Sequence, residues 1–119
     1  MEEVKIFTKP IAMAQSIGPH EAQNAYTKAY EPHLKGYNIA LDVQGDVLDS
    51  EAFSKLFAHD MHVNFFIGGA FGFEEAFLKQ TQKIISLSRL TYAHKIAKVV
   101  LFEQIYRGLC ISNNHPYHK

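Results

Sequence analysis

Val63-Asn64-Phe65-Phe66-Ile67-Gly68-Gly69-Ala70-Phe71-Gly72 is the stretch on which the fold turns. Its first five residues read as a strongly apolar strand, expected to be buried on both faces. The strand runs straight into a glycine turn and then into a helix expected from about Phe73 to Lys83. Upstream, residues 38–43 (NIALDV) read as another strand, closed by a Gln44-Gly45 turn, and Val4 to Phe7 as a short one. Pro19 suits the first turn of a helix reaching about Glu31, where Pro32 disfavours continuation. Asp49 or Ser50 caps a helix from Glu51 to about His59, with Phe53, Leu56 and Phe57 on one face. Downstream, residues 84–88 are a clear strand candidate, and a long helix from about Ala93 to Ile111 leads into a tail, 112–119. Strands separated by helices predict an α/β domain with a mainly parallel sheet, whose sites lie beyond the strand carboxyl ends.

With 119 residues the chain holds one domain and is too short for two separate cores. An apolar content of 47% excludes disorder. A membrane span is not expected, because the longest nearly apolar run, 63–73, is short and contains Asn64 and three glycines. Cys110, the single cysteine, has no partner for an intramolecular disulfide, and Glu2 and Glu3 stand where a signal peptide has basic residues. A cytoplasmic location is the expectation.

The net charge is zero, but it is unevenly spread. Residues 1–78 carry five Lys/Arg against eleven Asp/Glu, a net of −6, and residues 79–119 carry seven against the single Glu103, a net of +6. Such asymmetry suggests a basic face for a polyanion, with a merely solvated basic helix as the plain alternative.

The glycine turn has the spacing G-G-x-x-G, which is neither the dinucleotide fingerprint nor the phosphate loop. Glu74 and Glu75 follow it, where they suit a helix start but repel a phosphate. NAD and ATP are therefore disfavoured, leaving a phosphate-free ligand or a plain tight turn. Ser86-Leu87-Ser88-Arg89-Leu90-Thr91, at a strand end, offers backbone groups suited to a purine edge. On the long helix Glu103 and Arg107 are four apart, the spacing of an intrahelical ion pair. That helix is apolar nearly all round, which predicts cover from a second subunit. His59-x-x-His62 and His115-x-x-His118 lack the cysteines or carboxylates of a metal site, so no metal is expected. His115, Tyr117 and His118 read instead as part of a C-terminal segment ordered by a partner.

Phe66-Ile67-Gly68-Gly69 with Gly72, then Ser86-Leu87-Ser88, Thr91, His94, Glu103-Gln104-Ile105-Tyr106-Arg107 and the ending Pro116-Tyr117-His118-Lys119, resemble the RlmH-type 23S rRNA pseudouridine-N3-methyltransferases of the SPOUT class. The likeness runs from about Asn38 to the last residue. It implies a single α/β domain over 1–119, a mainly parallel sheet with flanking helices, and a C-terminal trefoil knot. It also implies a homodimer, and S-adenosyl-L-methionine bound in the knot largely by backbone groups. Family members usually begin with a first strand and helix that this sequence lacks upstream of Met1, elements that typically amount to roughly 15–20 residues.

Carried across position by position, the cofactor contacts fall at Leu41, Gly68, Leu87, Ser88, Arg89, Leu90, Thr91 and Tyr92. Ala93 replaces the proline that many members have before His94, and Lys98 stands where an arginine is common. The implied reaction methylates N3 of a pseudouridine in 23S rRNA on the assembled ribosome, with no membrane and no metal. Glu103, Arg107, Tyr117 and His118 are the candidates for positioning and proton handling, and His118 is the most natural base by its ordinary pKa. The competing expectation is a knotted RNA-binding or ribosome-associated protein without turnover. A nucleotide-binding oxidoreductase is disfavoured by the glycine spacing.

Overall fold

Ile39, Ala40 and Leu41, successive residues of one strand, alternate between the two faces of the sheet and so enter two separate apolar clusters. The computed structural model describes residues 9–58, 62–68 and 71–118. Its elements are α1 (Lys9–Ile17), α2 (Pro19–Tyr30), a 3-10 turn (Glu31–His33), β1 (Tyr37–Val47), α3 (Ser50–Ser54), a second 3-10 turn (Lys55–Ala58), β2 (Val63–Ile67), α4 (Glu75–Leu78), β3 (Lys83–Ser86) and α5 (His94–Ser112). The three strands form a parallel sheet in the order β2-β1-β3, with Leu41 opposite both Ile67 and Ile85. The architecture is α/β with helices on both faces. The strand expected at 4–7, and Gly69, His59 and Lys119, lie outside the described residues, as does the Phe57 side chain.

On one face Ala40 and Phe66 pack against Ala22, Tyr26 and Tyr30 of α2 and against Phe73 and Phe77. The rings interlock: Phe73 stacks on Phe77 with centroids 4.9 Å apart, and Tyr30 meets Phe66 edge-on at 5.1 Å. On the other face Ile39, Leu41 and Ile85 pack against Phe53 and Leu56, and against Leu101 and Ile105 of α5. Local chemistry sets the helix ends. Pro19 opens α2 behind Gly18, and the Asp49 side chain caps α3 by accepting from the Ala52 amide at 2.7 Å. At the far end of α5, Asn114 adopts a left-handed φ of 56° and the His115 amide donates to the Cys110 carbonyl at 2.8 Å. That turn stops the helix and sends the tail back along it.

Four expectations need correction. β2 is an edge strand among the described residues, so only Phe66 is buried and its neighbours are half-buried, not covered on both faces. The helix expected from Phe73 to Lys83 is only the four residues of α4. Sheet pairing claims the chain beyond it, with the Gln82 amide donating to the Asn38 carbonyl at 2.9 Å and Lys83 pairing with Ile39. The same register starts β3 at Lys83 and ends it at Ser86, short of residue 88. Finally, Gln44-Gly45 does not end β1. Residues 42–45 swing out of register and the strand resumes, with Asp46 also opposite Ile85. Gly45 makes this possible, because a Cβ there would sit 2.7 Å from the Ile85 main chain.

Candidate functional site

The strand-end group converges through the sheet register. Leu41 lies between Ile67 and Ile85, so Gly68 and Leu87 emerge beside it at the carboxyl ends of β2 and β3. The Leu41 side chain itself is 9% exposed and belongs to the core with Phe53 and Leu101. Behind Gly68 a Cβ would stand 3.2 Å from the Phe73 ring, and the Tyr30 hydroxyl donates to the Ile67 carbonyl. The glycine therefore lets this turn lie against the aromatic cluster. Burial pushes the Tyr30 phenol well above its usual range, which keeps that hydroxyl a donor.

After β3 the chain turns on its own serines. Ser86 Oγ donates to the Ser88 carbonyl at 2.7 Å, and Ser88 Oγ accepts from the Leu90 amide at 3.0 Å. Arg89, Leu90 and Thr91 are exposed, whereas Leu87, Ser88 and Tyr92 are half-buried. Asp42 is an addition that sequence reasoning missed. Its Oδ1 accepts from the Gln44 amide at 2.9 Å, and its Oδ2 lies 3.5 Å from where a Cβ on Gly72 would be, at a backbone φ of 72°. Its only signal was an acidic residue placed directly after a candidate contact in the strand. Residues 68–75 contain no Lys or Arg, while Asp42, Glu74 and Glu75 are acidic. This donor set fits a phosphate-free, cationic ligand, as S-adenosylmethionine is.

The second group is gathered by α5 and the returning tail. Arg107 Nη2 donates to Glu103 Oε2 at 2.8 Å, and the Tyr117 hydroxyl donates to the same oxygen at 2.9 Å. Arg107 Nη1 stands 3.1 Å from His118 Nδ1, and the guanidinium carbon lies 4.8 Å from the Tyr117 ring centroid. All four residues singled out from the sequence thus meet in one cluster. Hydrogen bonds from Arg107 first, and from Tyr117 second, hold the Glu103 carboxyl below the usual carboxylate range, and the bond to Glu103 raises the Tyr117 phenol. Glu103 accepts further bonds from Gln104 and Arg107 Nε, so both of its oxygens are engaged. A carboxylate this well satisfied anchors the tail; it is poorly placed to take up a proton.

The two groups are separated along one helix. Glu103 and Arg107 lie nine and thirteen residues beyond His94, about 14 and 20 Å along the axis. Ile96, Val99, Tyr106 and Leu109 are exposed on α5, which leaves an apolar stripe between its ends. An open groove of about 480 Å³ between the 42–45 excursion and the α4–β3 connection is lined by Asp42 and by none of the site residues expected from the sequence. Among the described residues no group of three or more His, Cys, Asp or Glu is arranged to hold a metal ion, and no helix is long and apolar enough to cross a membrane.

A family model described as "Predicted SPOUT methyltransferase" matches residues 2–118. The chain is 62% identical over 114 residues to the Ribosomal RNA large subunit methyltransferase H of Aliarcobacter butzleri, covering 96% of this chain and 76% of that protein. It is 53% identical to the protein of that name from Campylobacter concisus, with the same coverage. To the one from Wolinella succinogenes it is 54% identical over 121 residues, covering 100% of this chain and 79% of that protein.

Proposed function

The chain belongs to the SPOUT methyltransferase family, and from that premise we propose that it methylates ribosomal RNA of the large subunit. In its finer form the proposal is transfer of a methyl group from S-adenosyl-L-methionine to N3 of a pseudouridine in 23S rRNA on the assembled ribosome, in the cytoplasm. The active species is a homodimer carrying the family's trefoil knot. The observation that supports this best is that Leu41 of the central strand lies between Ile67 and Ile85, next to Gly68 and Leu87 at the ends of β2 and β3, beside an acidic and phosphate-averse turn.

Leu87, Ser88, Arg89, Leu90, Thr91 and Tyr92 hold the adenosine by main-chain groups, in a loop already shaped by Ser86 and Ser88. Leu41 and Gly68 bound the pocket, and Asp42 attracts the cationic part of the ligand. When bound, the sulfonium supplies an electrophilic methyl group. The tail supplies the other half. Arg107 is a fixed cation, and a cation beside an imide favours the anion that N3 becomes by losing its proton to solvent water before the methyl group moves from sulfur to nitrogen. His118 Nδ1 faces a guanidinium that only donates, which leaves the ring proton on Nε2. The imidazole therefore donates to a carbonyl flanking N3, and the base role expected from the sequence does not suit this arrangement. Tyr117, 40% exposed, stacks on the target base. Because α5 separates the two groups, its apolar stripe is the surface on which two protomers pair, each bringing its tail toward the other's strand ends.

Calorimetry with S-adenosylmethionine, followed by methyl transfer to ribosomes lacking the modification, tests the reading. Stoichiometric donor binding and N3 methylation are expected. Ribosome binding without donor binding or transfer returns the non-catalytic alternative.

A further inference from the structure

Gln104 follows Glu103 on α5, and adjacent helix residues do not normally face each other. Here they touch: Gln104 Nε2 donates to Glu103 Oε1 at 2.9 Å. The other end of the amide is also engaged, because Gln104 Oε1 accepts from Ser50 Oγ at 2.8 Å. Ser50 is the first residue of α3, whose cap is Asp49, so the Ser50 hydroxyl is not needed to start that helix. A primary amide donates only from nitrogen and accepts only at oxygen. The Glu103 carboxylate only accepts, so the amide nitrogen turns toward it, and the Ser50 hydroxyl then anchors the amide oxygen that faces away. With Oε1 occupied, the carboxylate stops rotating and presents Oε2 to Arg107 and Tyr117.

We propose that Gln104, anchored by Ser50, is a positioning residue that fixes Glu103 and thereby holds Tyr117 and His118 in the arrangement used for methyl transfer. This rests on the reading of the tail as part of the transfer site. It adds a connection that α5 alone does not provide, since the order of the tail depends on a hydroxyl contributed by α3. Neither Ser50 nor Gln104 touches the reacting atoms.

Ser50→Ala tests the idea cleanly, because Asp49 still caps α3 and alanine is a good helix former. The full chain is compared with Ser50→Ala, Ser50→Thr and Gln104→Leu in three measurements: hydrogen exchange of the amides of residues 115, 117 and 118, kcat and KM on unmodified ribosomes, and donor affinity alongside Tm. Losing one orienting hydrogen bond is expected to speed tail exchange and lower kcat on the order of tenfold in Ser50→Ala. Donor Kd and Tm stay at the parent values, Ser50→Thr restores both tail exchange and kcat, and Gln104→Leu falls at least as far as Ser50→Ala. Parent-like exchange and kcat in both Ser50→Ala and Gln104→Leu overturn the proposal. So does a loss that tracks Tm and donor affinity without rescue by threonine. If the parent chain transfers no methyl group at all, the functional reading fails. The exchange comparison still decides whether Ser50 and Gln104 order the tail.

Discussion

Arg107 Nη1 lies 3.1 Å from His118 Nδ1, and since a guanidinium has no acceptor, the ring nitrogen accepts. The proton of the imidazole then sits on Nε2. Glutamine places an N–H near that position, whereas alanine removes it. His118→Gln is expected to keep turnover within about tenfold of the parent, and His118→Ala to fall by about a hundredfold or more. Loss of a true general base costs roughly 10²–10⁴ in either variant. Equal losses in single-turnover rates of the two variants would restore His118 to the role of base.

Tyr117 and His118 reach α5 through side-chain contacts to Glu103 and Arg107, far along the helix from the strand ends. Deleting residues 117–119 is therefore expected to leave donor affinity nearly unchanged and to lower methyl transfer to ribosomes by about a hundredfold or more. Ribosome binding by the parent should weaken as salt rises, because Arg and Lys contacts to phosphate release counterions. A truncated chain with lower Tm and donor affinity, but full turnover in the surviving fraction, assigns the tail a packing role only.

Strands and caps with local causes were legible in the residues themselves. Val63–Ile67 is the strand expected from its run of apolar residues, Pro19 opens α2, and Asp49 caps α3. What escaped depends on distant partners. The register of β1 with β3 decides how short α4 must be, and the reason for Gly45 lies across the sheet in the main chain of Ile85. The Glu103–Arg107 pair was visible as a four-residue spacing. Nothing in the spacing said that Asn114 would turn left-handed and bring Tyr117 back to the same carboxylate. The proposed cofactor contacts came from family likeness, because recognition through backbone groups would leave almost no side-chain signature. Asp42 shows the cost of that route, since a motif carried over position by position names only the positions it already contains.

Ile96 and Val99 are 53% and 63% exposed on α5, so a single protomer gives them little reason to be apolar. Sedimentation at micromolar concentration should report a dimer, and Val99→Glu should shift it to monomer with the protomer still folded, because a charge there desolvates only when a second copy covers it. Transfer should fall with the dimer fraction. A parent chain that is monomeric and active at nanomolar concentration rules out both the pairing surface and the shared site.

Gly68 has two reasons to lack a side chain, and they are separable. A Cβ would stand 3.2 Å from the Phe73 ring, so Gly68→Ala is expected to destabilise the chain by about 1–3 kcal/mol through overpacking. Adding Phe73→Leu removes the ring and should recover much of that loss in a denaturant titration. If the donor also approaches the main chain at this position, the double variant still binds S-adenosylmethionine weakly, whereas Phe73→Leu alone binds it well. Full donor affinity in the double variant would mean that Gly68 serves packing alone.

The hold on the tail should have two pH limits, one from each partner in the Glu103–Tyr117 bond. The Glu103 carboxyl is depressed below its ordinary 4.5, chiefly by the Arg107 hydrogen bond. Its contribution is complete above that ordinary value and is lost as pH falls through the lower folded one. The Tyr117 phenol is raised above its ordinary 10.0 because it donates to Glu103, so its contribution is complete below 10.0 and is lost as pH rises through the folded value. Between about pH 5 and pH 9 neither group changes charge, and the Glu103–Tyr117 bond should stay made. The Arg107 Nε–H resonance in NMR reports this directly, since that group also faces the Glu103 carboxylate. A flat signal across the middle range is expected, with changes at both ends. Glu103→Gln should abolish the acid limb, because an amide does not titrate, and lower the alkaline one, because Tyr117 then donates to a neutral oxygen. A midpoint between pH 6 and pH 8 that survives in Glu103→Gln would show that something other than this carboxylate holds the tail.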